Sequence, residues 1–134
     1  MNKMVGLVIV SHNKKLADSI KEIVEQMIKG KVKIESVGGT SNDPNVLGTD
    51  PILIKNAIEK AYDNGVVILG DFGSSILSSK TAINMLNNDI KHNVVIADAP
   101  LVEGAFAAAV SASIGGSITD VKKAAEDAKN LRKI

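Results

Sequence analysis

Met4-Val5-Gly6-Leu7-Val8-Ile9-Val10 is an unbroken, β-branched apolar run that stops at Ser11-His12-Asn13. A strand without polar alternation must be covered on both faces, as in a parallel sheet flanked by helices. From Lys14 the period lengthens. Leu16, Ala17, Ile20, Ile23, Val24, Met27 and Ile28 recur every three or four residues, which predicts an amphipathic helix stopped at Gly30. Val32 to Val37 alternates apolar and polar positions, the mark of an edge strand. Gly38 to Thr49 is a long loop dense in turn formers, and loops of that length in compact domains are usually functional or disordered. Asp50-Pro51 predicts a helix start, an N-cap followed by proline in the first turn; Ala57, Ile58, Ala61 and Tyr62 continue it and Asn64-Gly65 ends it.

The alternation then repeats. Val66 to Leu69 is a third buried strand, Gly70 to Ser75 a tight turn, and Ile76, Leu77, Ile83 and Leu86 mark a helix. Val94 to Ala97 is a fourth strand, Asp98-Ala99-Pro100 its exit, and Leu101 to Ser113 an Ala-rich helix. Gly115-Gly116 breaks the chain, with Gly115 to Ile118 left open as an extra edge strand. Thr119 or Asp120 caps a last helix carrying Val121, Ala124, Ala125, Ala128 and Leu131. Four strand–helix repeats predict a single α/β domain over residues 1–134, a three-layer sandwich with helices on both faces of a mainly parallel four-stranded sheet. Right-handed crossovers, with the alternating strand at an edge, give the order 2-1-3-4. The winding reverses between strands 1 and 3, and ligands bind outside the carboxyl ends of the strands at such a point. Ser11-His12-Asn13 and Gly70-Asp71-Phe72-Gly73-Ser74 meet there.

Charge and composition narrow the chemistry. Sixteen Lys+Arg against fifteen Asp+Glu leave a net +1, without the uncompensated positive charge that grips nucleic acid. Tyr62, Phe72 and Phe106 are the whole aromatic complement, too few for a base-stacking platform. The lack of cysteine excludes disulfides, thiolate catalysis and Cys-type zinc sites. The longest uncharged apolar-rich run, Gly104 to Ile118, falls short of the roughly 18 residues of a membrane span, and Lys3 with the short run after it does not make a signal peptide. The expectation is a soluble, cytoplasmic protein with no membrane partner.

His92 lies in the polar stretch Asn87 to Asn93 and is expected to be a solvated loop residue. His12 stands between an apolar strand and a helix. It is either a helix-capping or hydrogen-bonded core histidine, or a reactive one. Asp71, itself either a turn residue capping the next helix or a partner for His12, favours the second reading. A carboxylate on one imidazole nitrogen fixes the tautomer and frees the other as a nucleophile. Helix N-termini after His12 and Asp71, together with Gly38, Gly39, Thr40, Gly73, Ser74 and Ser75, offer donors suited to phosphate. Lys14 and Lys15 add charge nearby or simply solvate the helix start.

Other site classes lack their residues. Gly-x-Gly-x-x-Gly, the Walker glycine-lysine loop and Gly-x-Ser-x-Gly are all missing, and Asp71-Phe72-Gly73 copies a kinase triplet without the rest of the set. Two histidines with scattered carboxylates make only a weak metal site, and none is expected. A response-receiver domain would carry acidic residues where Ser11-His12 stands. By elimination, the imidazole itself accepts a group.

Val8-Ile9-Val10-Ser11-His12, Gly38-Gly39-Thr40 with Gly48-Thr49, Gly70-Asp71-Phe72-Gly73-Ser74 and Ala99-Pro100-Leu101-Val102-Glu103-Gly104-Ala105 occur in that order. Together they resemble the phosphotransferase subunit of phosphoenolpyruvate-dependent dihydroxyacetone kinase, a relative of the mannose-type enzyme IIA domain. The resemblance spans nearly the whole chain, and Pro-x-Val-Glu-Gly-Ala is its most specific part. It implies a phosphorelay. The histidine matching His12 accepts phosphate at Nε2 from the histidine phosphocarrier protein, oriented by the aspartate matching Asp71. The phosphate then passes to ADP on the nucleotide-binding subunit of the kinase, and a third subunit phosphorylates dihydroxyacetone. The resemblance further implies the mannose-type IIA sandwich, a homodimer, and a covalent phosphohistidine with no tightly bound cofactor. Phe72 replaces the usual leucine and Ser75 the usual alanine. Longer relatives append phosphocarrier-like domains, so this chain is expected to take phosphate from a separate protein. The alternatives are a IIA domain feeding a sugar permease, which normally continues into a IIB domain, and a non-catalytic module binding an anion or partner, in which His12 is never modified.

Overall fold

A computed structural model describes residues 3–29, 31–40, 43 and 45–134. The elements run β1 (Gly6–Ser11), α1 (Lys14–Ile28), β2 (Ile34–Gly38), α2 (Pro51–Ala61), β3 (Val66–Gly70), α3 (Gly73–Asn84), α4 (Asn88–Lys91), β4 (Val94–Ile96), α5 (Leu101–Ser113) and α6 (Ile118–Asp127), closed by a 3-10 turn over Ala128–Asn130. The sheet has the predicted order β2-β1-β3-β4, and all three neighbouring pairs are parallel.

β1 is buried along its whole length, so its pleat feeds two cores. Leu7 and Ile9 pack with Ala17, Ile20 and Val24 of α1 and with the alanines of α5. Val8 and Val10 pack on the other face with Ile54 and Ile58 of α2 and Ala82 of α3. Because the chain goes from β1 outward to β2 and then back across to β3 and β4, right-handed crossovers put α1 on one face and α2 and α3 on the other. That reversal leaves the carboxyl ends of β1 and β3 side by side with no helix between them.

The Ala-rich composition of α5 serves close packing within the chain. A Cβ on Gly104 would lie 2.9 Å from the Ala99 Cβ and 3.0 Å from Leu69 Cδ2, and Ala105, Ala108, Ala109 and Ala112 are buried.

Several boundaries differ from those predicted. α1 closes on Lys29, which adopts the left-handed conformation (φ 58°) and donates its N–H to the Glu25 carbonyl at 2.9 Å; Gly30 lies outside the described residues. β2 begins at Ile34 rather than Val32 and takes in Gly38. α3 starts at Gly73, inside the predicted turn. The polar stretch around His92 contains the short α4, and His92 is exposed at its end. The last helix is capped by Ser117, not Thr119 or Asp120: Ser117 Oγ accepts the Asp120 N–H, and the Asp120 carboxylate accepts the Ser117 N–H, both at 3.1 Å. Among the described residues Gly115 to Ile118 forms no strand, since Ile118 already belongs to α6.

Candidate active site

β1 ends on Ser11 and β3 on Gly70, and the next residue of each strand brings His12 and Asp71 together. The Asp71 carboxylate collects four donors. Its Oδ1 takes His12 Nδ1 at 2.9 Å and the Phe72 N–H at 2.7 Å. Its Oδ2 takes the Ser11 hydroxyl at 2.8 Å and the His12 N–H at 2.9 Å. Burial is the strongest single influence on this group and pushes its pKa up. The hydrogen bonds from His12, Ser11 and Phe72 together outweigh it, so the carboxyl sits below its ordinary value. An ionised carboxylate only accepts, which puts the proton of the neutral ring on Nδ1 and the lone pair on Nε2.

Nε2 points away from Asp71 and meets the Ser74 hydroxyl. The His12 side chain keeps 24% of its surface exposed against 10% for Asp71, so the ring is anchored at one nitrogen and open at the other. α3 begins beside Nε2 with no side-chain cap. The N–H groups of Gly73 and Ser74, at the positive end of the helix dipole, have no protein acceptor among the described residues. α1 differs. Asn13 caps it, accepting the Leu16 N–H at 3.0 Å, while the Asn13 N–H donates to Ser11 Oγ at 3.0 Å.

The predicted phosphate donors divide. Ser74 meets Nε2, and Gly73 precedes it as the first residue of α3. Ser75 does not: it is fully buried, and both its N–H (3.0 Å) and its hydroxyl (2.6 Å) are spent on the Phe72 carbonyl. Gly38 and Gly39 build the wall of the site. A Cβ on Gly38 would come within 2.6 Å of the Lys14 backbone, so glycine is required for β2 to pass the start of α1. Gly39 (φ 76°) donates its N–H to the Gly48 carbonyl at 2.8 Å, and Gly48 donates to the His12 carbonyl at 2.9 Å. Thr40 is exposed at the rim. Lys14 pairs with Asp18 at 2.9 Å and Lys15 Nζ donates to Asn45 Oδ1 at 2.9 Å, so both lysines are engaged along α1 and the loop. Ser41, Asn42 and Pro44 of that loop lie outside the described residues.

Ser11 and Gly48 stood within the motifs of the sequence without a role assigned to either. Ser11 is fully buried, and its hydroxyl links the Asp71 carboxylate to the start of α1. Beside Asp71, on the β4 side, a cleft of about 370 Å³ opens between Phe72, Gly73, Ile76 and Lys80 and the Ile96–Ala99 exit of β4. A larger depression of about 710 Å³, lined by Lys3, Met4, Lys31, Asn64 and Ser113 to Gly115, lies at the opposite end of the sheet and shares nothing with the histidine site.

The fold and the site together define an α/β sandwich that holds an imidazole by a carboxylate at its switch point, with Nε2 turned towards an uncapped helix. Residues 6–122 match the EIIA-man family model, described as the fructose IIA component of the phosphotransferase system, and the chain belongs to that family. It is 39% identical over 127 residues to the phosphoryl donor subunit DhaM of phosphoenolpyruvate-dependent dihydroxyacetone kinase from Providencia stuartii, covering 93% of this chain and 27% of that one. A second relative is the corresponding DhaM subunit of dihydroxyacetone kinase 2 from Listeria innocua, 37% identical over 115 residues, covering 85% of this chain and 90% of that one. The chain thus spans about a quarter of the length of the first curated relatives it matches (25–27%) and nearly all of the Listeria one. A solved structure of a protein described as of unknown function superposes with a TM-score of 0.82 at 40% identity, covering 95% of each chain. Among the described residues, no helix is long and apolar enough to cross a membrane.

Proposed function

We propose that this chain is a cytoplasmic phosphorelay subunit. His12 takes a phosphoryl group at Nε2 from the histidine phosphocarrier protein and passes it to ADP held by the nucleotide-binding subunit of a dihydroxyacetone kinase. The observation that carries this reading is the division of labour on one ring, with Nδ1 bound to Asp71 and Nε2 turned to the Ser74 hydroxyl beside open helix amides. The relatives named as phosphoryl donor subunits, one of them of nearly the same length, support the choice of relay.

In the first half-reaction the donor's P–N bond breaks, its electron pair returns to the donor nitrogen, and the Nε2 lone pair forms the new P–N bond. Asp71 accepts the Nδ1 proton in a hydrogen bond throughout and stabilises the positive charge that develops on the ring. The Ser74 hydroxyl turns from Nε2 to a phosphoryl oxygen, and the Gly73 and Ser74 amides take the others, with Thr40 at the rim. In the second half-reaction a terminal oxygen of ADP attacks phosphorus, the P–Nε2 bond breaks, and the pair returns to Nε2. The carrier is the imidazole itself, with no tightly bound cofactor.

The same proposal includes a homodimer. Val102, Phe106, Val110 and Ile114 form an exposed apolar ridge at four-residue spacing along α5, a geometry in which two copies of one helix interdigitate. The direct test of the relay is to isolate the phosphorylated protein and add the ADP-loaded nucleotide-binding subunit. Loss of phosphate from this chain with stoichiometric formation of ATP is expected. Retention of the phosphate in the presence of loaded partner rejects the kinase assignment.

A further inference from the structure

We infer that Phe72 is the residue by which this site selects its phosphoryl donor: an apolar anchor, open in the free protein, that is buried by a histidine-phosphorylated protein when transfer occurs. The inference rests on the phosphoacceptor role proposed for His12.

Phe72 is 71% exposed, yet its backbone is held. Its N–H donates to Asp71 and its carbonyl accepts from Ser75, so the carboxylate that holds the imidazole also holds the main chain from which the phenyl ring projects. The phenyl centroid lies 5.6 Å from that of His12, tilted by 48°. The residue also occupies the N-cap of α3, with an extended backbone (φ −115°, ψ 169°) and no side-chain cap bond. Serine, threonine, aspartate and asparagine stabilise helices at that position, and phenylalanine does not. An exposed aromatic where a polar cap belongs weakens the helix start and contacts water. The start of α3 therefore gains nothing from the choice.

Its neighbours have the same character. Leu47, 64% exposed, precedes Gly48, whose N–H is tied to the His12 carbonyl. Leu77, 65% exposed, stands one turn along α3 from Ser74. Three large, uncharged, exposed side chains thus belong to the segments that frame Nε2. Transfer needs phosphorus within about 3–3.5 Å of the attacking nitrogen, so a protein donor must cover these groups to deliver its phosphate. Burying them excludes the water that would compete for the P–N bond. The donor that fits carries its phosphohistidine in an apolar surface, with a recess for one aromatic ring.

The test compares Phe72→Ser, Phe72→Asn and Phe72→Leu with the unchanged protein, using the histidine-phosphorylated phosphocarrier protein as donor and measuring Tm, KM and kcat. The serine and asparagine variants are expected to melt higher, through the restored cap, and to raise KM for the donor about tenfold or more, the scale of an interface anchor, with kcat changed less than about twofold. Phe72→Leu keeps an apolar anchor and is expected to stay within about threefold of the original KM. An unchanged KM, a loss carried by kcat, a fall in Tm, or failure of leucine to rescue overturns the role of Phe72. Absence of phosphorylation in the unchanged protein overturns instead the phosphoacceptor role of His12 beneath it.

Discussion

Asp71 satisfies four donors with two oxygens, and the four do different work. One sets the tautomer of His12, one fixes its backbone, one ties in Ser11 and one fixes Phe72. Asp71→Asn keeps the shape but replaces one acceptor oxygen with a donor, leaving two N–H or O–H groups without a match. Transfer to His12 is expected to slow by at least about tenfold, the usual scale for losing a ring-orienting carboxylate. Stability is expected to fall by about 1–3 kcal/mol from the unmatched donors, read by urea unfolding. The pH dependence follows from the same bonds. Because the folded carboxyl lies below its ordinary value of about 3.9, its contribution to stability is fully present above that pH. It is lost as pH falls through 3.9, roughly, towards the folded value. The urea midpoint of the original protein is expected to drop between about pH 5 and pH 3, and that of Asp71→Asn to drop less. A residual slope belongs to Asp18, whose carboxyl is pushed up by burial but held lower overall by Ser36 and Lys14, and to Glu103 and Glu126, lowered by Lys133 and by the Asp98 N–H respectively. His12 and Asp71 were legible in the sequence because each directly follows a strand, and strand order makes those two strands neighbours. The sorting of the serines was not. Ser74 meets Nε2 while Ser75 is buried one residue later, a difference of helix phase that depends on where α3 starts.

Among the elements, β2 and α1 meet at a point that has no spare volume. Gly38→Ala would press a Cβ to 2.6 Å from the Lys14 backbone and 2.8 Å from the Asn13 carbonyl carbon, directly beyond His12. Backbone cannot rotate out of the way as a side chain can. A loss of about 1–3 kcal/mol is expected, together with slower phosphorylation as the start of α1 shifts. Ser117→Ala is the contrasting case. It removes the capping box of α6 at the far end of its chain path from His12, so about 1 kcal/mol of stability is expected to go while the phosphorylation rate stays unchanged. Long periodic elements announced themselves in the sequence: α1, α2, α5 and all four strands are where the pattern put them, within a few residues. α4 did not, because four residues carry no period and the stretch around it is polar. The Gly38–Thr49 segment was legible as a long loop, but the bonds tying Gly39 to Gly48 and Gly48 to the His12 carbonyl have no sequence signature.

For the molecule as a whole, the reversal of winding between β1 and β3 is what leaves His12 partly uncovered, with an apolar core on either face of the sheet behind it. The fold class and strand order followed from strand–helix alternation with right-handed crossovers. Assembly does not follow from the pattern of one chain. The α5 ridge supplies a test of the proposed dimer: replacing both Phe106 and Val110 by glutamate puts charges at the centre of the ridge while leaving the buried alanines of α5 untouched. Sedimentation is expected to show a dimer for the original protein and a monomer for the double variant. The most direct measurement of the central claim is intact mass under alkaline conditions after incubation with phosphoenolpyruvate, the first enzyme of the phosphotransferase system and the phosphocarrier protein. The original protein and His92→Ala are expected to gain one phosphoryl group each, and His12→Ala none. A modification that persists in His12→Ala, or none on the original protein, would contradict it.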